Sequence, residues 1–406
     1  MRRGFDSHQL KGLSLMCLRS VSLLLAALST LAACGVCPAA EYHAFRPGQQ
    51  WLDDNGEVIN AHGGGILHHE GVYYWFGEHK IAGRRGNTAQ VGVHVYASTD
   101  LYNWRDEGIA LAVSDDPDSD IVRGCVIERP KVIYNATTNR FVMWFHLELR
   151  GQGYAAARSG VAVADRPTGP YEFLRSGRAV VGQWPLNLDR TPERERWTQP
   201  EQDDQQLSRR RRRRDPDGEI PFFYFDFPGG QMARDMTLFV DDDGAAYHLY
   251  ASEENRTFQI ARLTDDYLDH AGDFVRVFER RLMEAPAICR RQGKYYFLAS
   301  GCTGWAPNAA RSAVADAVFG PWQELGNPCV GVNPANGLGA EKTFGAQSTF
   351  ILPVAGREDA YIAMFDIWRP RNPIDGRYVW LPIEFTDDGY QIRWRDEWDL
   401  SVFDKP

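Results

Sequence analysis

The sequence predicts an all-β protein, a single five-bladed β-propeller with four-stranded antiparallel blades around a central axis. The first observation is a repeated hairpin. Residues 62–77 (HGGGILHHEGVYYWFG) align without a gap on residues 284–299 (EAPAICRRQGKYYFLA), and both read as a polar residue, a short apolar strand, a Gly-containing turn and an aromatic strand. Looser copies begin at Glu128, Asp235 and Gln347, giving five units headed by His62, Glu128, Asp235, Glu284 and Gln347. The second observation is a shared continuation. Three of the hairpins run on into an alternating strand (VGVHVYAST, SGVAVAD or RSAVAD), and the last two of these strands lead into a Gly-Pro-aromatic turn that opens an outer strand. Repetition of four short strands is the signature of propeller blades. The third is negative: no long stretch sustains helical periodicity.

In chain order, residues 1–40 read as a targeting segment. Arg2, Arg3, Lys11 and Arg19 precede an apolar core from Val21 to Ala33, which is too short for a stable membrane span. It ends in Leu31-Ala32-Ala33-Cys34-Gly35, which resembles a bacterial lipobox with Cys34 as the lipidated mature N-terminus. Cleavage near Ala40 is the rival reading. Either way export is expected, to the periplasm or outer membrane as a lipoprotein, or as a secreted protein. Residues 41–60 form a polar lead-in with a turn at Asp54-Asn55-Gly56, and residues 41–406 form the propeller domain. The longest interval between heads, from Glu128 to Asp235, holds an insertion at 199–218 with six adjacent arginines, Arg209 to Arg214. Such a run repels itself and is expected to be solvated. Asp241-Asp242-Asp243-Gly244 lacks the terminal acidic ligand of a calcium-binding EF-hand loop and reads as a hairpin turn. Cys125, Cys289, Cys302 and Cys329 could pair, but pairing cannot be read from sequence.

Composition narrows the function. A net charge of −9 and a pI near 5.6 exclude nucleic acid as the main partner, because phosphate binding needs a basic surface. Aromatics at 12%, with 12 Trp and 17 Tyr, suit β-rich packing or a carbohydrate surface. Radial hairpins bring the five heads to one mouth of the central channel. A packed strand should begin with Val or Ile, so polar heads in register mark that mouth as the candidate site. Two of the heads are Glu and one is Asp, and Glu128 and Glu284 each stand two residues before a proline. Paired carboxyls are what glycoside hydrolysis requires, one protonated to release the leaving oxygen and one across from it. Crowding them raises the pKa of at least one.

On the stretches INAHGGGILHHEGVYYWFGEHK, ERPKVIYN, RDMTLFVDDDG, EAPAICRRQGKYYFLASGCTGWAPN and TFGAQSTFI, the chain resembles glycoside hydrolase family 43, and within it the branch of exo-β-1,3-galactanases and related β-galactosidases. The resemblance implies an inverting, exo-acting enzyme with Glu284 as general acid and Asp235 as the carboxylate that orients it and tunes its pKa. Most of the family carries an aspartate base on the first blade, where this chain has His62. The branch shares that absence, and the resemblance places Glu128 in substrate contact or catalysis. It places Gln347 at the base position, where an imidic-acid tautomer has been invoked; a neutral amide is a very poor base, so Gln347 is taken as water-orienting. Inversion implies roughly 6.5–9.5 Å between acid and water-binding group.

Glu78, Tyr154, Thr303 and Trp305, at the ends of second strands, are further substrate-binding candidates. Trp305 has the flat face that suits the C–H patch of a galactose ring. His62 is added to the binding set, although a lone histidine is more often a hydrogen-bonded core residue than a metal ligand. No metal or cofactor is expected, with a structural calcium at the axis left open. The expected partner is an oligo- or polysaccharide, with no nucleic acid, membrane attachment only through Cys34, and a monomeric state. The expected activity is release of galactose from β-1,3-galactan or arabinogalactan. The alternatives are an α-L-arabinofuranosidase or β-xylosidase, and a sugar-binding propeller without turnover.

Overall fold

The computed structural model describes residues 41–83, 85–198 and 220–404; the targeting segment with Cys34, and the insertion with Arg209 to Arg214, lie outside the described residues. Blade I contains β1 (His62–His69), β2 (Val72–Lys80), β3 (Gln90–Ser98) and β4 (Arg105–Ala112). Blade II contains β5 (Val126–Asn135), β6 (Arg140–Glu148), β7 (Arg158–Ala164) and β8 (Glu172–Gly177). Short helices α1 (Pro192–Trp197) and α2 (Phe222–Asp226) come next, in the long interval. Blade III is β9 (Met236–Val240), β10 (Ala246–Ser252), β11 (Thr257–Leu263) and β12 (His270–Val277). Blade IV is β13 (Met283–Arg291), β14 (Lys294–Gly301), β15 (Arg311–Ala315) and β16 (Gln323–Gly326).

Blade V departs from the pattern. Its outermost strand is β17 (Cys329–Val330), which precedes a small ribbon of β18 (Val332–Asn333) and β19 (Leu338–Gly339). The blade proper continues as β20 (Gln347–Pro353), β21 (Tyr361–Ile367), β22 (Arg377–Thr386) and β23 (Gly389–Arg393), and β17 lies parallel to β23. Innermost strands β1, β5, β9, β13 and β20 touch in that order, and β20 touches β1, closing the ring.

Local chemistry explains the hairpins. Glu70-Gly71 and Gln292-Gly293 both lie at positive φ, the two-residue turn whose twist matches antiparallel strands. Asp241 to Gly244 is a turn, closed by Asp241 N–H on the Ala245 carbonyl. The core sits between blades as aromatic and aliphatic clusters. One cluster gathers Trp75, Trp104 and Trp380 around Trp51 of the lead-in. The lead-in also ties the ends together, since Phe45 and Trp398 exchange backbone hydrogen bonds while their rings stack at 4.3 Å. All four cysteines of the domain are unpaired.

Candidate active site

In three of the five blades the innermost strand is bulged directly after its polar head, and in blade V one residue later. The register shifts lie at His62/Gly65, Glu128/Lys131, Glu284/Ala287 and Ser348/Phe350. In the first, second and fourth blades the next residue, Gly63, Arg129 or Ala285, takes a positive φ. A bulge bends the strand and re-aims its side chains, which turns the heads into the channel mouth. Each of these heads faces a fixed partner on the second strand: Glu78 opposite His62, His146 opposite Glu128, Ser300 opposite Glu284 and Asp366 opposite Gln347.

Four of the five heads meet in a cavity of about 640 Å³ lined by Glu78, Asn87, Glu128, Arg129, Tyr154, Asp235, Glu284, Trp305, Gln347 and Trp368, among others. Such a volume admits a monosaccharide with part of a second. Glu284 accepts a hydrogen bond from Asn255 Nδ2 at 2.9 Å. Burial, then repulsion from Asp235, pushes its pKa up to about 7, so it is a proton donor near neutral pH. Asp235 accepts from Arg129 at 2.8 Å and from the Ala285 backbone N–H at 3.0 Å, which fixes it beside the acid's own strand.

Glu128 has the opposite character. Its Oε1 accepts from Asn87 at 2.5 Å and Tyr154 at 2.7 Å, and Oε2 lies 2.9 Å from His146 Nδ1. Burial alone would raise its pKa, but His146, Lys80 and Tyr154 overcome this and hold it at about 2. His146 in turn meets Glu148 at 3.0 Å through Nε2; burial opposes its charge, yet the two carboxylates raise it to about 9. Glu128, His146 and Asp235 have ligand atoms within 4.8 Å of one another, the spacing of a metal site. The two carboxylates that flank His146 favour an imidazolium, and in that form the ring has no lone pair to give an ion.

Gln347 sits beside the acid. Its Oε1 accepts from Arg129 at 2.6 Å and from the Trp368 indole at 2.8 Å, while Nε2 donates to Ser300 at 2.9 Å and reaches Glu284 at 3.4 Å. Arg129 and Trp368 can only donate, so the network fixes which end of the amide is which. An imidic-acid form would put its proton on the oxygen facing both donors. The amide is therefore the form this pocket stabilises. The 3.4 Å contact is also far below the expected separation of roughly 6.5–9.5 Å. Blades IV and V are neighbours, so their heads touch; Glu128, from blade II, belongs to a blade not adjacent to the acid's.

The remaining candidates divide. Trp305 is 48% exposed and stands edge-on to Trp368 at 5.9 Å, open to a ring. Tyr154 is also exposed at the cavity. Glu78 reaches the floor but is fully buried, gripped by Lys80 at 2.5 Å and by the Arg129 backbone N–H at 3.1 Å. His62 lies behind the wall, 1% exposed, its ring against Trp368 at 5.0 Å and Tyr378 at 5.7 Å. Burial, with Lys80 and Arg129, lowers its pKa to about 3 and keeps it neutral. It is a core histidine and has no surface to offer a sugar. Thr303 is engaged within its own loop, bonding the Ala306 carbonyl and Asn308, and does not line the cavity. Sequence reasoning missed Arg129, Trp368, Asn87, Asn255, His146 and Ser300. Three of these carried a signal, because Arg129 follows a head and His146 and Ser300 stand opposite one, as Glu78 does.

The sequence profile of glycosyl hydrolases family 43 matches residues 221–343. Among solved structures, a family 43 β-1,3-galactosidase with galactodeoxynojirimycin is 49% identical, covers 88% of this chain and 100% of its own, and superposes with a TM-score of 0.78. A second family 43 β-1,3-galactosidase is 35% identical over 89% of this chain and 64% of that longer one, with a TM-score of 0.71. The exo-β-1,3-galactanase of Phanerochaete chrysosporium with β-1,3-galactotriose is 30% identical over 89% of this chain and 69% of that one, with a TM-score of 0.69. No curated protein matches.

Proposed function

Because the chain belongs to glycosyl hydrolases family 43, we infer that it is an exo-acting glycoside hydrolase that releases galactose from β-1,3-linked galactan with inversion at the anomeric carbon. One observation carries the chemistry: two carboxyls line one cavity in opposite surroundings, Glu284 half-buried beside Asp235 and Glu128 buried against His146. Glu284 gives its proton to the glycosidic oxygen as that bond breaks. Positive charge then develops on the sugar ring, where Glu128 and Asp235 supply fixed negative charge. Water adds to the face opposite the departing oxygen, its proton passes to solvent through the open mouth, and Glu284 is reprotonated. For Gln347 to orient that water, its contact with Glu284 must open when substrate enters. Trp305 offers the stacking face for galactose, and no cofactor enters any step.

Purified protein should release galactose from β-1,3-galactan, with the α anomer first in the NMR spectrum. Release of the β anomer would remove inversion, and binding without release would leave a sugar-binding propeller. Aryl arabinofuranosides and xylosides separate this reading from the commoner family activities. The amino-terminal segment supports export with a lipid on Cys34. Among the described residues no helix is long and apolar enough to cross a membrane. A mature N-terminus mapped to Glu41 by mass spectrometry would exclude the lipid.

A further inference from the structure

We propose that His146, clamped between Glu128 and Glu148, is a positioning residue that holds Glu128 as a fixed negative charge in the cavity that Glu284 also lines. This rests on the reading of the pocket as a glycosidase centre. Both glutamates head an inner strand and both are bulged, Glu128 buried and Glu284 half-buried. Burial pushes both toward the protonated form. The cross-strand partner separates them, together with Asp235 beside Glu284 and Lys80 near Glu128. Glu284 faces Ser300, a neutral hydroxyl, and Glu128 faces an imidazole.

That imidazole is 1% exposed, and its two nitrogens address two carboxylates from opposite sides. The contact to Glu128 is an ion pair at 2.9 Å without the linear geometry of a hydrogen bond, so charge more than direction is delivered there. Glu148 is fully buried, and its second oxygen accepts the Ala157 backbone N–H at 3.0 Å. It is the far anchor that stabilises a buried imidazolium. Other groups face the cluster too. Lys80 of β2 adds positive charge near Glu128, Glu78 of β2 and Asp235 before β9 add negative charge, and the Tyr154 ring lies 6.0 Å from the His146 ring. Ser159 of β7 stands opposite His146 in register and is neutral. Among these, His146 is the cation in direct contact with a Glu128 carboxylate oxygen.

The test compares His146→Gln and Glu148→Gln with the unmodified protein on β-1,3-galactan across pH. In His146→Gln the acid limb of kcat/KM should rise into the ordinary carboxylate range. The ratio of variant to unmodified activity should then be about twofold lower at pH 4.5 than at pH 7, and about tenfold lower one unit below the new limb, near pH 3.3. Glu148→Gln should move the limb the same way by less. A ratio constant across pH would reduce His146 to a packing residue and overturn the proposal. If His146→Gln does not fold, imidazole NMR of the unmodified protein decides. Both ring nitrogens should remain protonated past pH 8, and a neutral ring at pH 7 would sink the idea. Failure of the unmodified protein to cleave galactan would instead remove the functional reading and leave the imidazole result standing by itself.

Discussion

Glu284 and Glu128 differ less in where they stand than in what stands opposite them. With Glu284 near 7 in the free enzyme, kcat/KM should fall as pH rises through about 7, because the acid must carry its proton. Asp235→Asn removes a repulsion that favours the protonated form, so this basic limb should move to lower pH. Glu284→Gln should cost roughly 10²- to 10⁴-fold in kcat with natural substrate, the usual contribution of a positioned proton donor. Near-full activity would sink its role as the acid. Trp305→Ala should raise KM roughly fivefold with little change in kcat, consistent with about 1 kcal/mol of ring stacking. The four carboxyl and amide heads were legible because the repeat put them in register. Asn255 and Trp368 were not: they sit in loops after second strands, as Tyr154 and Trp305 do, but no repeat or motif marked them.

Strands explain why the first head is followed by three glycines. A Cβ on Gly63 would run into the Glu78 carboxylate, one on Gly64 into the Phe76 carbonyl, and one on Gly65 into the Lys131 side chain. The Gly64 clash is with backbone and has no flexible way out. Gly64→Ala should therefore destabilise by about 1–3 kcal/mol, as overpacked sites do, read as a lower urea midpoint at unchanged slope. Gly71→Ala has open space but a φ of 82°, so about 1 kcal/mol is expected there. Strand identity was readable from aromatic alternation and turn glycines. The bulges were not, since an extra residue in one strand shows itself only against its partner.

The ring, closed by β20 against β1, is braced by a segment outside the repeats. Phe45 bridges Trp398 and packs on Tyr102, Trp51 and Trp380. Phe45→Ala should cost about 3–5 kcal/mol, the usual range for a buried phenylalanine, seen as a lower melting temperature. A change within about 0.5 kcal/mol, the scatter of neutral surface changes, would show that the lead-in does not hold blades I and V together. Five repeated units announced the ring and its blade count. The parallel strand β17 gave no such notice, because it is two residues long and precedes the blade it completes.

Glu78 constrains its neighbour across the hairpin. It is buried, held by Lys80 and the Arg129 backbone, and it occupies the space that a side chain at position 63 would need. A new acidic group introduced next to His62 would meet that carboxylate before it met a sugar. A side chain at position 63 is thus coupled to Glu78: position 78 must change first or together with it.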